Sequence, residues 1–172
     1  VDGTGNRTEA DFTVRVADRE SPKYPVFPAD MDVPTDAGLS TATVTWVVPV
    51  AEDNVGIASS TASEQPGTVL PLGRNIVVYS TKDAANNVVT RQLTISVSDQ
   101  EAPSISGLPS DISIPVTEGF SAMKVDWVEP TASDNVAVAS LTSNHQSGEL
   151  FPIGLTSVTY TSKDSTGNET SG

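Results

Sequence analysis

The sequence has no cysteine, a single histidine and no run of about 18 apolar residues that could cross a membrane as a helix. The absence of cysteine excludes disulfide bonds, thiolate metal sites and a cysteine nucleophile. The histidine, His145, lies in the loop TSNHQSGE without a neighbouring nucleophile signature, so we expect it to be solvated. Phosphate-loop, dinucleotide-binding and HExxH motifs are also missing, and the chain is therefore predicted not to be an enzyme and not to insert into a membrane.

Basic residues are scarce as well. Nine Lys and Arg stand against 22 Asp and Glu, which gives a formal net charge of −13 and a pI near 4.1. This charge repels nucleic acid and anionic lipid and favours cations or basic partners. The sequence therefore predicts no nucleic-acid binding.

What the sequence does contain is an internal repeat with a period of 81 residues. The matched pairs include Trp46 with Trp127, Asp53 with Asp134, Gly67 with Gly148, Tyr79 with Tyr160, and Asp83 with Asp164. The same offset carries residues 1–20 onto the end of the next unit. We predict that residues 1–20 are the C-terminal strand of a preceding repeat, 21–100 a complete repeat, and 101–172 a repeat that lacks its last strand.

The pattern within each unit is that of short β-strands. The stretches TATVTWVVP, NIVVYSTKD and VVTRQLTISV alternate apolar and polar residues and are separated by Gly, Pro and Asn turns, with no helical periodicity. This pattern predicts an all-β chain of tandem immunoglobulin-like antiparallel β-sandwiches, of about seven strands each, arranged end to end. The aromatic residues Trp46, Trp127, Tyr79 and Tyr160 are interpreted as core, with an exposed ligand patch as the alternative.

The ordered motifs of the repeat identify a family. Within one unit they are W-x2-P, D-N, G-x3-P-x-G, V-x-Y, a turn ending in Asn, and D-x-E-x-P, which here are Trp46, Pro49, Asp53, Asn54, Gly67, Pro71, Gly73, Val77, Tyr79, Asp83, Asn87, Asp99, Glu101 and Pro103. This order resembles the hyalin repeat, or HYR module, across essentially the whole chain. The resemblance implies an immunoglobulin-like module found in tandem in extracellular matrix and adhesion proteins. Many members carry two cysteines, and the places where these would stand hold Phe27 and Leu108, and Ala10 and Arg91.

Acidic residues recur at positions that the predicted sandwich brings to the end where the chain enters each repeat. At one junction they are Asp18, Glu20, Asp53 and Asp83, and at the next Asp99, Glu101, Asp134 and Asp164. Hard oxygen ligands gathered from a linker and loops are what calcium requires, so calcium is the candidate cofactor. In the alternative interpretation, the Asp and Asn side chains form turns with the backbone and their carboxylates are solvated.

Two sequons, at Asn6 and Asn168, fall in the hairpin turns of their repeats and are candidate glycosylation sites in a secreted protein. Their triplets are Asn-Arg-Thr and Asn-Glu-Thr. The equivalent Asn87 lacks the following hydroxyl residue.

The leading functional hypothesis is a structural extracellular spacer or filament-forming repeat for matrix, coat or cell-adhesion assembly. The alternative is a specific ligand- or receptor-binding adhesion module that uses the loops ASEQPGTVLPLG and TSNHQSGELFPIG. Expected partners are neighbouring repeats or other copies, head to tail, and other matrix or cell-surface proteins. Either the sequence is a window of a longer chain, which we favour, or residues 8–18 complete repeat 101–172 of a neighbouring molecule by strand addition.

Overall fold

The structure is a computed structural model and describes residues 3–5, 7, 9–116 and 118–172. These residues form thirteen β-strands and no α-helix, so no membrane-spanning helix is found among them. The prediction of an all-β chain is confirmed.

Six strands lie in the first predicted repeat and seven in the second. The first six are β1 (Met31–Pro34), β2 (Thr41–Val44), β3 (Ile57–Ala62), β4 (Thr68–Pro71), β5 (Gly73–Asp83) and β6 (Val88–Ser98). The other seven are β7 (Ser104–Ser106), β8 (Ala122–Lys124), β9 (Thr131–Ser133), β10 (Val138–Ser143), β11 (Leu150–Pro152), β12 (Tyr160–Asp164) and β13 (Glu169–Ser171).

The strands form open sheets with almost entirely antiparallel pairing. In the first repeat a four-stranded sheet has the order β1-β6-β5-β3, and β2 pairs with β4. In the second repeat β10-β12-β13 form a three-stranded sheet, while β8 pairs with β11 and β7 with β9. One described pair departs from the predicted antiparallel pattern, because β1 runs parallel to β6 with Met31 opposite Ile95. A long stretch of chain separates these two strands, which permits the parallel connection.

The chain divides into two compact units. The first contains residues 1–28, 48–63 and 78–92. Its interior holds an aromatic cluster in which the Phe27 ring meets Tyr24 and Tyr79 edge to face, at centroid distances of 5.4 and 5.7 Å. The Tyr24 hydroxyl also hydrogen-bonds the buried Thr81 hydroxyl at 2.7 Å. Phe27 thus places an aromatic ring where the resemblance drawn from the sequence implies a cysteine in many similar repeats.

The second unit contains residues 29–47, 64–77 and 93–172. Its buried apolar side chains alternate along their strands, as predicted for strands with one face inward. They are Ala42, Val44, Leu70, Val77, Leu93, Ile95, Val97 and Tyr160. All but Tyr160 come from the first predicted repeat, so the second repeat contributes little to this buried set.

The hairpin of β5 and β6 confirms the predicted strand pair and its turn. Asp83 and Asn87 close the turn with a backbone hydrogen bond of 3.1 Å from Asp83 N to Asn87 O, and Asn86 takes a positive φ of 71°. Asparagine tolerates this conformation better than most residues. The predicted strand at TATVTWVVP is shorter, since β2 ends at Val44 and Trp46 is only half-buried.

Residues 9–22 form no strand in the structure. The side chains of Phe12, Val14 and Val16 are 89%, 73% and 93% exposed, although their repeat equivalents in β6 are buried. Over residues 9–20, the described part of the predicted closing strand, no strand is formed.

Candidate functional site

Three carboxylates from separate segments of the first unit form a cluster. Asp18 lies in the segment that enters the first repeat, Asp53 in the loop before β3, and Asp83 at the end of β5. One oxygen from each lies within 4.8 Å of the others. Asp83 is fully buried, and the other two are half-buried.

A second cluster repeats the first at the equivalent positions. Asp99, Asp134 and Asp164 also bring one oxygen each within 4.8 Å of one another, and all three belong to the second unit. Asp99 and Asp164 are buried. These six aspartates were predicted to lie at two junctions, three at each, and the structure brings each group of three together.

Backbone N–H groups hold the linker and loop aspartates by one oxygen each. The donors to Oδ1 are Glu20 N for Asp18, Val55 N and Gly56 N for Asp53, Glu101 N for Asp99, and Val136 N and Ala137 N for Asp134, at 2.9–3.1 Å. The turns predicted from Asp and Asn are thus present. In all four aspartates the second oxygen, Oδ2, is buried and has no hydrogen-bond partner.

The third aspartate of each cluster is held by the hairpin turn that follows it. The side-chain amide of Asn87 donates to Asp83 Oδ2 at 2.7 Å, and that of Asn168 donates to Asp164 Oδ2 at 2.6 Å. Burial alone would raise the pKa of Asp83 and of Asp164, but the hydrogen bonds, chiefly from Asn87 and Asn168, outweigh it and lower both pKa values. These two carboxylates are therefore held in the charged form.

The same asparagines tie the entering segment to the turn. Asn87 Nδ2 donates to the carbonyl oxygen of Glu20 at 2.9 Å, and Asn168 Nδ2 donates to that of Glu101 at 3.2 Å. A glycan on Asn168 would replace one of its two N–H donors, so glycosylation there stays a prediction that competes with these bonds. Asn6 lies outside the described residues.

The two glutamates that the sequence grouped with the aspartates are not part of these three-carboxylate clusters, as far as the described residues show. Glu101 instead accepts a hydrogen bond at Oε2 from Gly38 N, at 2.8 Å. Beside it, Asn135 Nδ2 donates to Leu39 O at 2.9 Å and to Thr35 Oγ1 at 3.2 Å. The linker and one loop of the second repeat thereby contact the turn between β1 and β2 of the first repeat.

The second repeat contains a chain of side-chain hydrogen bonds that the sequence did not predict. The Trp127 indole N–H donates to Tyr160 Oη at 2.6 Å, and this hydroxyl donates to Glu129 Oε2 at 2.5 Å. Burial and the Glu129 carboxylate raise the pKa of Tyr160. The equivalent of Glu129 in the first repeat is Val48, so comparing the repeats gave no signal for this contact.

The only histidine makes a local contact. His145 Nδ1 lies 3.0 Å from Glu149 Oε2, and its ring packs on Phe151 with centroids 5.2 Å apart. The hydrogen bond from His145 lowers the pKa of Glu149. Both residues belong to the loop between β10 and β11.

The model of the HYR domain matches the chain twice, at residues 17–97 and 98–172. The chain belongs to the HYR domain family. Each HYR match contains one complete carboxylate cluster, so the cluster is a property of a single HYR repeat. The resemblance to hyalin repeats is confirmed.

Three curated proteins show how widely the HYR pair is shared. Hyalin of Lytechinus variegatus is 38% identical over 177 aligned residues, which cover 99% of this chain and 33% of that protein. Hyalin of Strongylocentrotus purpuratus is 34% identical over 178 aligned residues, covering 100% of this chain and 15% of that protein. The third is the sushi, von Willebrand factor type A, EGF and pentraxin domain-containing protein 1 of Rattus norvegicus. It is 36% identical over 145 aligned residues, which cover 82% of this chain and 4% of that protein. The HYR pair thus spans a third or less of each of these relatives.

Proposed function

We propose that this HYR pair is an extracellular structural module that links repeats in series within a matrix or adhesion protein. Support comes from the family, from the match to two hyalins, and from a net charge of −13, which favours solubility and basic or cationic partners. The proposed function requires no catalytic step. It depends on the contacts that join one repeat to the next.

The observation that carries the proposal is the contact on the β1–β2 turn. This turn is itself ordered, because Asp36 N donates to Thr41 O at 2.7 Å and Leu39 N donates to Asp36 O at 2.9 Å. Gly38, with φ of 71°, presents its N–H to Glu101 Oε2 at 2.8 Å. This bond is exposed, so solvent screens it, and it contributes on the order of 1 kcal/mol or less. The turn of one repeat therefore offers fixed donors and acceptors to the repeat that follows.

The contact is polar and small, so it restrains a linker without forming a large interface. Asn135 supplies two donor bonds and Glu101 one acceptor bond, and all three bonds reach the turn between β1 and β2. A spacer needs such restraint, because a freely jointed chain does not keep its length under load. A ligand-binding loop does not need it.

Backbone relaxation by NMR on the whole 172-residue chain tests this function. Replacing both groups, in Glu101→Ala with Asn135→Ala, is expected to increase the fast motion of the linker amides at residues 99–102. The matched control is Glu20→Ala with Asn54→Ala, at the equivalent positions of the first repeat. Equal linker motion in the wild type, the variant and the control would contradict a restraining role.

The second repeat also supports a proposal about partners. A cavity of about 650 Å³ lies within it, lined in part by Ile112, Ile114, Val125, Trp127 and Val158. In the first repeat the closing strand β6 buries Leu93, Ile95 and Val97 in the core. We infer that the cavity accepts a closing strand from a neighbouring repeat or copy, with the alternating pattern that Phe12, Val14 and Val16 show.

A peptide with the sequence of residues 9–18 tests this inference. Added to the whole chain, it is expected to raise the melting temperature and to reduce the exposure of Trp127, measured by fluorescence quenching. The control peptide replaces Phe12, Val14 and Val16 with serine. If both peptides leave melting and fluorescence unchanged, the cavity does not accept such a strand.

A further inference from the structure

Four carboxylate oxygens share an unusual environment. The Oδ2 atoms of Asp18 and Asp53 in the first cluster, and of Asp99 and Asp134 in the second, are buried from solvent and have no hydrogen-bond partner. Asp99 as a whole residue is only 5% exposed. Because the four atoms occupy equivalent positions in two repeats, the arrangement is a property of the repeat rather than an accident of one loop.

An unpartnered buried carboxylate oxygen is costly. Burial of a charged group without a partner removes its hydration, and such groups are normally paired, hydrogen-bonded or bound to a metal. Among the ion pairs that the described residues form, none includes an aspartate of either cluster. Each cluster therefore gathers three carboxylates without a protein cation to neutralise them.

The geometry favours a metal ion over a missing hydrogen bond. In each linker and loop aspartate, Oδ1 is already fixed by backbone N–H groups, which leaves Oδ2 to point away from those donors. One oxygen of each of the three carboxylates falls within 4.8 Å of the others. Two ligands on opposite sides of a calcium ion, each about 2.4 Å from it, are separated by about this distance.

We propose that each HYR repeat of this chain binds one Ca²⁺ ion through its three-aspartate cluster. Asp18, Asp53 and Asp83 bind the first ion, and Asp99, Asp134 and Asp164 bind the second. The all-oxygen donor set excludes a site designed for zinc, which prefers nitrogen and sulfur ligands. Calcium also tolerates irregular geometry, whereas magnesium demands a near-ideal octahedron with shorter ligand distances.

The bound ion would connect three separate segments of each repeat. Asp99 belongs to the segment that enters the second repeat, Asp134 to the loop before β10, and Asp164 to the hairpin turn after β12. Neutralising the three charges removes their mutual repulsion and fixes the entering segment to the repeat. Calcium concentration then controls the stiffness of the linker.

Isothermal titration of the EDTA-treated 172-residue chain with CaCl₂ alone tests the proposal. The wild type is expected to bind two ions, and the variants D99N with D134N, or D18N with D53N, to bind one each. Asparagine keeps Oδ1 as an acceptor for the backbone N–H groups, so the turns are retained. The control D126N, at an exposed aspartate paired with Lys124, is expected to keep two ions. Absence of heat in the wild type, or two ions in both cluster variants, overturns the proposal.

A measurement on the wild type guards against variants that fail to fold. In a ¹H–¹⁵N spectrum, calcium is expected to shift the amide signals of Val136, Ala137 and Gly167, whose N–H groups donate to the cluster oxygens. The amide of Ser147, which donates to Glu129, serves as the internal reference. Melting temperature should rise with CaCl₂, by an amount that grows with the logarithm of its concentration. If millimolar calcium moves neither the cluster amides nor the melting temperature, the clusters do not bind calcium.

Discussion

Val77 and Val158 occupy equivalent positions in the two repeats, yet Val77 is fully buried while Val158 remains half-buried beside a cavity. The carboxylate clusters at the same two repeats are nearly identical. The two repeats therefore share their carboxylate clusters but differ in their apolar cores. The turns and clusters depend on short segments that each repeat contains, whereas the apolar core depends on a long strand such as β6, which supplies Leu93, Ile95 and Val97.

The aromatic residues extend the comparison. Tyr79 packs against Phe27, while Tyr160 accepts from Trp127 and donates to Glu129. The aromatic neighbour of Tyr79 is specific to the first repeat, because the residue equivalent to Phe27 in the second repeat is Leu108.

The largest effect is expected for Leu93→Ala. Leu93 is fully buried in β6, so its truncation should lower the free energy of unfolding by about 3 kcal/mol, through lost burial and a residual cavity. Phe12, its equivalent 81 residues earlier, is exposed, and Phe12→Ala should change stability by less than about 0.5 kcal/mol. Urea unfolding at low protein concentration measures both. Similar losses would show that residues 9–18 pack in solution.

A smaller difference is expected between Val77→Ala and Val158→Ala. The same two methyl groups are removed, but only Val77 lies in a closed core, so we expect a loss of about 2 kcal/mol there and about half of that for Val158. Thermal melts followed by circular dichroism provide the comparison. A larger loss at Val158 would mean that the second repeat is closed in solution.

The turn asparagines should give a still smaller loss. Asn87→Ala and Asn168→Ala each remove the amide that joins a buried aspartate to the entering segment. Each variant is expected to melt a few degrees below the wild type, because a hydrogen bond to a charged group is lost. Gln92→Ala, at an exposed position on β6, is the control. A melt equal to the control would show that the amide bonds add no net stability.

The smallest effect is expected for the loss of stability at acid pH. The pKa values of Asp83 and Asp164 are lowered from the ordinary aspartate value of 3.8, so their charged forms stabilise the fold above that pH. This contribution is lost as the pH falls below 3.8 through the folded-state pKa. Melting temperatures measured between pH 7 and pH 3 in EDTA should therefore fall more steeply below pH 4 for the wild type than for the double variant Asn87→Ala with Asn168→Ala. Parallel curves would contradict this coupling.

Local and repeated features could be predicted from the sequence. Alternation identified the inward positions of β5 and β6, and the loop arrangement of the predicted sandwich placed Asp18, Asp53 and Asp83 at one end of a repeat. Features that depend on one repeat touching another could not be predicted. Glu101 accepts a hydrogen bond from Gly38, which lies far away in the sequence, and periodicity carries no information about such a contact.

The length of the strands could not be predicted from the sequence either. The apolar pattern continues through Val47 and Val48, yet β2 ends at Val44. Pro49 follows closely and lacks a backbone N–H, so it cannot extend a ladder of hydrogen bonds. Hydrophobic pattern alone does not show where pairing stops.

When a period is counted from the start of each HYR match, at residues 17–97 and 98–172, every aspartate of a given cluster comes from a single period. A tandem duplication of one period therefore produces a unit with a finished set of three carboxylates, and a deletion removes one such set entirely. Changes in the number of units leave the remaining clusters intact. A protein built in this way can change length during evolution without the need to rebuild any junction.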